Sequence, residues 1–376
     1  MTERAGGVRL WTRMVIAAAL TALTGCGDFF VKPTSSGGGS STGNLVYVAN
    51  SATNTIAGFT IGTATLTAVS GSPFALSYSP AAAVVTPSNS FLYVAGAGAI
   101  YVYTINSGGS LTAASTGAAV AIVKVVSLDV SPDGNWLFGL DAATTVVDEF
   151  QINKSTGALT LMAATPYSVT AAVAPKAIRV APNGALVFAA LGTGGDVVFT
   201  LNTTSGALAS SQTLSLGSTT TSDNALTIDS TTSYLYIARS GTNGGVAVYT
   251  IGAAGVLNSI NGSPFTAGTQ PTSVVLDTTG KYLYTANGSD GTISGYAIGT
   301  SSSLSALNGS PYASGVQVTS LGVDRSGKYL LAAAFGGSPD LSMYSFDTVT
   351  AGKLNLATST ATGTGTTGAV AVALTH

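Results

Sequence analysis

Residues 368–374, Gly-Ala-Val-Ala-Val-Ala-Leu, form an apolar segment with β-strand character close to the end of the sequence. Residues 45–50, Leu-Val-Tyr-Val-Ala-Asn, form a similar segment near its beginning. The repeat pattern described below leaves the early segment without a strand before it and the late segment without a unit after it. Because an unpaired strand leaves N–H and C=O groups open along its edge, we expect the two segments to pair. Their pairing would close the chain into a ring.

A short apolar and aromatic string occurs seven times in the chain. The third residues of its copies lie 46, 45, 50, 48, 48 and 47 positions apart. The copies are residues 45–47, 91–93, 136–138, 186–188, 234–236, 282–284 and 329–331. A second apolar run follows each copy, and a Gly- or Ser-led turn then opens onto a Leu-containing strand. Each unit thus holds about four strands, called a to d in chain order, as in the blade of a β-propeller.

These observations predict an all-β fold over residues 44–376, namely a seven-bladed β-propeller with four-stranded blades. The C-terminal strand would complete the first blade. Two other architectures fit the pattern less well. An outer-membrane barrel has strands of ~10 residues with one polar face, whereas these strands are short and apolar on both faces. An open β-solenoid usually has shorter repeats and leaves the two terminal segments unexplained.

The N-terminal region has the pattern of an export signal. Three arginines precede an apolar run at residues 14–23, which is shorter than the ~20 residues of a membrane span. Leu23-Thr24-Gly25-Cys26 resembles the lipobox of bacterial lipoproteins and contains the only cysteine. We therefore expect a signal peptide at 1–25, a lipid on Cys26 and a flexible Gly/Ser linker at 26–43. Because Gly27 rather than Asp follows Cys26, the expected location is the outer membrane or cell envelope, on either side.

Composition excludes several functional classes. Only 7% of residues are charged and 45% are hydrophobic, so the chain lacks the clustered Lys and Arg of a nucleic-acid-binding protein. His376 is the only histidine, which argues against His-ligated metal sites and His-dependent triads. We expect no cofactor and no metal, and a monomer that contacts the membrane through Cys26.

Several motifs resemble the seven-bladed β-propeller lactonase family, which is similar to bacterial phosphogluconolactonase and carries YVTN-type repeats. They are Tyr47-Val48-Ala49-Asn50, Tyr284-Thr285-Ala286-Asn287, the Gly-Lys-Tyr-Leu turns at 280–283 and 327–330, and Gly-Ser-Pro-aromatic at 71–74, 262–265 and 309–312. The resemblance covers residues 44–376 and implies lactone hydrolysis. It also implies an Arg with a His or Glu at the channel mouth. This chain departs from that set, because after residue 25 its only glutamate is Glu149 and it has no internal histidine.

Two charged residues stand at the same level of strand a in neighbouring blades. When the strands a of blades two to seven are aligned on their turns, this position is occupied in turn by Val84, Asp129, Arg179, Thr227, Val275 and Gly322. One interpretation is a structural ion pair between Asp129 and Arg179 that bridges blades three and four. The other is a polar patch in the channel that holds an anionic or hydroxylated ligand, with Arg179 as a bidentate donor.

Further candidates lie where the d–a and b–c loops gather on one face, called the loop face. Lys176, Asp141 and Arg239 are candidate ligand-binding residues together with Asp129 and Arg179, and each could also be a solvated loop residue. The weak candidates for catalysis are Asp129, Arg179 and Arg239. Other loop-face residues are Lys124, Asp223, Gln270 and Asp290.

Three functions remain open from the sequence. The first is a non-catalytic, lipid-anchored module that binds a small molecule, a glycan or a protein with its loop face. The second is a lactonase, which needs a group to activate water and a group to stabilise an oxyanion. The third is a scaffold in an envelope assembly. A phosphorylated substrate fits poorly, because the loop face has no dense Arg/Lys cluster.

Overall fold

The structure is a computed structural model that describes residues 43–169 and 172–376. The predicted signal peptide, Cys26 and all of the predicted linker except Gly43 lie outside these residues. Within them, no helix is both long enough and apolar enough to cross a membrane.

The described residues form seven antiparallel sheets built from short strands. Three single 3-10 turns lie at Ser115–Gly117, Ala253–Gly255 and Thr300–Ser302. The strands are β1 (Leu45–Asn50), β2 (Thr55–Gly62), β3 (Thr65–Ala68), β4 (Phe74–Ala75), β5 (Pro80–Val85), β6 (Phe91–Gly96), β7 (Ala99–Ile105), β8 (Leu111–Ala113), β9 (Val125–Val130), β10 (Trp136–Asp141), β11 (Val146–Ile152), β12 (Leu159–Pro166), β13 (Ala177–Val180), β14 (Leu186–Ala190), β15 (Asp196–Leu201), β16 (Leu208–Leu214), β17 (Thr221–Ile228), β18 (Tyr234–Gly241), β19 (Gly245–Ile251), β20 (Leu257–Ser259), β21 (Pro271–Leu276), β22 (Tyr282–Asn287), β23 (Thr292–Ile298), β24 (Leu304–Ala306), β25 (Tyr312–Ala313), β26 (Val316–Val323), β27 (Tyr329–Gly336), β28 (Leu341–Phe346), β29 (Leu354–Thr360) and β30 (Ala369–Leu374).

Each sheet is one blade, with strand a innermost and strand d outermost. Blade one has the order β30-β1-β2-β3, and the remaining blades are β5–β8, β9–β12, β13–β16, β17–β20, β21–β24 and β26–β29. Each inner strand contacts the inner strands of both neighbouring blades, in the closed cycle β30, β5, β9, β13, β17, β21, β26 and back to β30. The predicted seven-bladed propeller is therefore confirmed.

The ring closes where the last strand pairs with the first. β30 is antiparallel to β1, with Val48 opposite Val372 and Ala49 opposite Ala371. Beyond the strand ends, the Ser51 N–H donates to the Gly368 carbonyl over 2.9 Å. All residues of both strands are buried, so the predicted pairing of residues 368–374 with residues 45–50 is confirmed.

The hydrophobic core is divided among the junctions between blades. The described residues contain seven apolar clusters, each drawn from two adjacent blades. Successive side chains of a strand point to opposite faces of its sheet, and here both faces are covered by a neighbouring blade. This is why the strands are apolar at nearly every position rather than at every second one.

In blades one, two, five and six, the third residue of the repeated string is a tyrosine that bonds to the next blade. The Tyr47 hydroxyl donates to the Gly109 carbonyl over 2.8 Å, and Tyr93 donates to the Gly157 carbonyl over 2.8 Å. Two further bonds of this kind are Tyr284 to the Gly352 carbonyl and Tyr236 to Ser302 Oγ. In each case the acceptor lies in the c–d turn of the following blade.

The Gly-Ser-Pro-aromatic motif follows the end of strand d in blades one, five and six. In blades one and six the aromatic residue starts a separate short strand, β4 or β25, which pairs with strand c. The motif serine accepts a strand-c N–H: Ser72 Oγ accepts from Gly58 over 2.9 Å, and Ser263 Oγ accepts from Val248 over 2.8 Å. The motif therefore continues the edge of strand c after strand d has ended.

The aspartates that open the a–b turns have a structural role. Asp277 Oδ1 accepts the N–H groups of Lys281 and Tyr282 over 2.9 and 2.8 Å. Asp229 and Asp324 make the same pair of bonds in blades five and seven. These turns lie on the side of the ring opposite the loop face.

We expect Tyr93→Phe to lower the free energy of unfolding by about 1–2 kcal/mol, because it leaves the Gly157 carbonyl without its interblade donor. The measurement is chemical denaturation followed by tryptophan fluorescence. Tyr234→Phe is the matched control, since the half-buried Tyr234 makes no such interblade bond within the described residues. Equal losses in the two variants would contradict the role of the tyrosine bonds.

Candidate functional site

Buried charge is concentrated in one part of the ring. Ten buried Asp, Glu and Arg side chains occur among the described residues, and seven of them belong to blades three to five. The seven are Asp141, Asp148, Glu149, Arg179, Asp196, Asp223 and Arg239. We call these residues, together with Asp129 and Lys176, the charged sector. Because burying a charge is unfavourable unless it is compensated, this asymmetry among repeated blades requires a local explanation.

Most of the charged sector lies towards the loop face. Asp141 and Arg239 stand at or near the ends of strands b, whereas Asp196 and Asp223 stand at or near the starts of strands c and a. In an antiparallel blade these strand ends meet at the same edge, which is the edge that carries the d–a and b–c loops. Four of the predicted candidates belong to the sector and lie on neighbouring blades: Asp129, Asp141, Lys176 and Arg179. Arg239 follows on blade five.

Asp129 bridges blades three and four through the backbone. Its Oδ2 accepts the N–H of Val180 over 2.7 Å. Ser127 Oγ does the same for the N–H of Ile178 over 3.0 Å. β13 is the inner edge of its sheet, so these two side chains satisfy N–H groups that the sheet leaves open.

Arg179 lies at the level of Asp129 on the next blade. Its Nη1 donates to the carbonyl of Ile178 over 2.8 Å. Burial raises the pKa of Asp129, while the Arg179 charge and the bond from Val180 act in the opposite direction. The contacts of Asp129 match a bridge between blades, and the donor groups of Arg179 lie beside the axis.

A second acidic group lies in blade three on the side that faces blade two. Asp141 Oδ1 accepts the N–H of Ala143 over 2.6 Å and the hydroxyl of Thr144 over 2.8 Å, which fixes the b–c turn. Asp148 is 4% exposed, and its Oδ2 meets no donor within the described part of the chain. Burial and the nearby charges of Asp141 and Glu149 raise the pKa of Asp148 to about 6.

Arg239 forms a bidentate ion pair inside blade five. Its Nε donates to Asp223 Oδ1 over 2.6 Å, and its Nη2 donates to Asp223 Oδ2 over 2.8 Å. Nη2 also donates to the Tyr249 hydroxyl over 3.1 Å. Asp196 of blade four lies against this group. The carboxylate of Asp223 and two donors of Arg239 are therefore already engaged.

Lys176 precedes β13 and is partly buried, and burial lowers the pKa of its ammonium group. The other loop-face candidates do not all join the sector. Gln270 and Asp290 are exposed in blade six, where Gln270 Oε1 accepts from Ser289 and Asp290 Oδ2 accepts from the Thr269 N–H. Lys124 is exposed in the loop before β9.

The described residues contain no group of three or more His, Cys, Asp or Glu side chains arranged to hold a metal ion. A cleft of about 140 Å³ lies on the opposite side of the ring between blades three and four, where Trp136, Pro132 and Pro182 contribute to its lining. None of the predicted site residues lines this cleft.

Asp196, Asp148 and Tyr249 were not among the predicted site residues. A usable signal exists for the two aspartates, because each is a charged residue directly beside a run of apolar residues. Asp196 precedes Val197-Val198-Phe199, and Asp148 follows Val146-Val147. Tyr249 carries no such signal, since strand c contains a tyrosine in several blades.

Comparison with known families gives a match over most of the propeller. The model of the family described as "Lactonase, 7-bladed beta-propeller" matches residues 95–217, 192–308 and 264–372. No curated protein matches the chain.

Several solved structures have a similar fold at low sequence identity. A candidate 6-phosphogluconolactonase from Bacteroides uniformis ATCC 8492 is 18% identical, with 88% of this chain and 99% of that chain covered and a TM-score of 0.72. A second one, from Bacteroides fragilis NCTC 9343, is 17% identical, with 91% and 100% covered and a TM-score of 0.70. The periplasmic gluconolactonase PpgL of Pseudomonas aeruginosa is 15% identical, with 89% and 99% covered and a TM-score of 0.69. At these identities the likeness shows the fold alone.

Proposed function

Because the chain belongs to the seven-bladed β-propeller lactonase family, we propose that its loop face binds a sugar lactone or a similarly polyhydroxylated small molecule at the charged sector. The observation that carries this proposal is the concentration of buried charge in blades three to five. At the two strand-c positions equivalent to Asp148 and Glu149, every other blade carries an uncharged residue. These are Ala57, Tyr101, Val197, Ala247, Ser294 and Ser342 for Asp148, and Gly58, Val102, Val198, Val248, Gly295 and Met343 for Glu149.

The chemistry of the sector favours a neutral, hydroxyl-rich ligand. Sugar hydroxyls can donate hydrogen bonds to acceptors at the channel mouth, where Asp129 is the carboxylate of the sector that is only partly buried. Lys176 and Arg179 supply donors for a lactone carbonyl. Carboxylates outnumber cations in the sector, and Arg239 is already paired with Asp223. A phosphate group would therefore be repelled, so we expect the unphosphorylated lactone to bind better than its phosphate ester.

Binding is favoured over turnover by the placement of the acidic groups. A general base must contact the water that it activates, and Asp148 and Glu149 are 4% and 1% exposed. Asp129 and Asp223 are occupied by the Val180 N–H and by Arg239. The main proposal is therefore a lactone-binding module rather than an enzyme.

Hydrolysis is the second candidate, and one observation favours it. The pKa of Asp148, about 6, makes its carboxylate a stronger base than an ordinary aspartate. In that reaction Asp148 would take a proton from water as the water oxygen bonds to the lactone carbonyl carbon. The ring C–O bond would then break, and the ring oxygen would take up a proton.

The test uses purified protein titrated by calorimetry with glucono-1,5-lactone and with its 6-phosphate. We expect the unphosphorylated lactone to bind more tightly, and Lys176→Met to weaken binding about tenfold through loss of one charge-assisted hydrogen bond. Lys328→Met, which removes a lysine from the opposite side of the ring, is the matched control. Absence of binding, or equal effects of the two lysine variants, would contradict the proposal.

Proton release measured at constant pH separates the two candidates. Lactone opening above the buffer rate that Asp148→Asn abolishes would establish hydrolysis and overturn the binding-only proposal. A rate equal to buffer in a protein that binds the lactone supports the binding module.

We further propose that the chain is exported and held at the cell envelope by a lipid on Cys26. The support is the basic and apolar pattern of residues 1–25 and the single cysteine after Leu23-Thr24-Gly25. The linker at 26–43 would hold the propeller away from the membrane surface, with its loop face free for a small-molecule, glycan or protein ligand.

We expect wild-type protein in the membrane fraction of a bacterial host and Cys26→Ser in the soluble fraction. Ser35→Ala, a change in the linker, is the control and should fractionate like the wild type. Retention of Cys26→Ser with the membranes would contradict lipid anchoring.

A further inference from the structure

Asp196 is a charged residue in an otherwise apolar register. It stands at the start of β15, opposite Ala190 of strand b, and is 2% exposed. Its side chain lies on the face of blade four that packs against blade five. The same register in the other six blades holds Ile56, Ile100, Val147, Val246, Ile293 and Leu341. Packing alone would therefore be served by an aliphatic residue.

The carboxyl group of Asp196 has an unusual neighbour. Neither Oδ1 nor Oδ2 meets an N–H or O–H donor within residues 43–169 and 172–376. The group within hydrogen-bonding reach is the carboxyl group of Asp223 on blade five. Ionised carboxylates only accept hydrogen bonds, so two of them cannot bond to each other. The contact becomes a hydrogen bond when one of the two holds a proton.

The surrounding groups decide which carboxyl group holds it. Asp223 accepts two bonds from Arg239, at 2.6 and 2.8 Å, so it is the ionised member. Arg239 is also bonded to the Tyr249 hydroxyl. Asp196 has no cation of its own, and its neutral form can donate to Asp223. Burial and the Asp223 carboxylate raise the pKa of Asp196 well above its usual range, while Arg239 acts in the opposite direction.

A glycine-rich loop covers the pair. Residues 191–195, Leu-Gly-Thr-Gly-Gly, form the b–c loop of blade four. The Gly192 N–H donates to the Asp223 carbonyl over 3.1 Å, and the Asp223 N–H donates to the Gly192 carbonyl over 3.2 Å. The side-chain contact and these two backbone bonds join the same two blades at the same place.

We propose that Asp196 and Asp223 form a proton-binding site that ties blade four to blade five, and that losing the proton as the pH rises loosens the 191–195 loop. The ionisable groups around the proton are Asp223, Arg239 and Tyr249, all on blade five. When Asp196 ionises, two carboxylates share one arginine in a buried space. Repulsion then separates β15 from β17 at the loop face. This inference does not depend on the identity of the ligand.

The direction of the pH effect follows from the raised pKa. The unfolded chain releases the Asp196 proton near pH ~3.9, whereas the folded chain keeps it to higher pH. Between these two values the folded state holds more protons, so stability falls as pH rises. In this range the unfolding equilibrium constant gains up to about tenfold per pH unit from this group.

The first experiment compares the pH dependence of unfolding in wild type, Asp196→Asn and Asp290→Asn. An asparagine amide donates to Asp223 at every pH, so Asp196→Asn should lose the added slope and become more stable than wild type at pH values where wild type has lost the proton. Asp290→Asn, which removes an exposed loop-face carboxylate, should follow the wild-type curve. Parallel curves for wild type and Asp196→Asn would overturn the proposal.

The second experiment detects the proton and the loop directly. Infrared difference spectra recorded across a pH titration should show a protonated carboxylic acid band, lost as the pH rises, that Asp196→Asn removes and Asp290→Asn keeps. Over the pH range in which the band disappears, amide exchange at Gly192 and Asp223 should accelerate in wild type beyond its rate in Asp196→Asn. If Asp196→Asn does not fold, Asp196→Val is used in its place, because blade three carries Val147 at the equivalent position. Absence of the band difference would contradict the proposal.

Discussion

The antiparallel pairing of β30 with β1 is the constraint on which the rest of the propeller depends. β30 is the inner strand of blade one although it is the last strand of the chain, so blade one is complete only after the other six blades have been made. β30 also contacts β26 of blade seven and β5 of blade two. Without it, apolar faces of blades one, two and seven would be open to water, together with the edge of β1. The junctions between the remaining blades depend on the closed ring that this pairing completes.

Neutral side chains make the junctions between blades, which explains how a chain with so little charge forms a stable ring. Tyrosine hydroxyls of strand b bond to the c–d turn of the next blade. Serines of strand a accept N–H groups of the next inner strand, as Ser273 does from Leu321 over 3.1 Å and Ser320 from Val372 over 3.1 Å. Threonines add bonds to carbonyl groups, as Thr319 does to Ala369. Against this uncharged background, the charges of blades three to five are a local departure that the fold itself does not require.

The sequence predicts the ring well because its evidence is periodic. The spacing of the strand-b strings predicts seven blades. The repeat pattern, which begins at strand b and ends with an extra strand-a segment at 368–374, predicts the shared sheet. The column that aligns Asp129 with Arg179 is also correct, since each lies opposite the third residue of its string.

The details that escape prediction depend on contacts between segments far apart in the chain. The serines of strand a are an example, because Ser127 Oγ accepts the N–H of Ile178, which is 51 positions away in the chain. The Gly-Ser-Pro motif gives no sign that its serine bonds to strand c. Sequence analysis misses Asp196 because blade five buries its side chain, and nothing in residues 191–201 indicates which face of blade four packs against blade five.

Amide hydrogen exchange resolved to individual residues tests the closed ring most directly. If the account is right, the strand-pairing amides of β1 and β30 open only with global unfolding and are protected as strongly as those of β9 in blade three. Exchange in β1 and β30 at the rate of fraying ends, while β9 stays protected, would contradict a ring closed by these two strands.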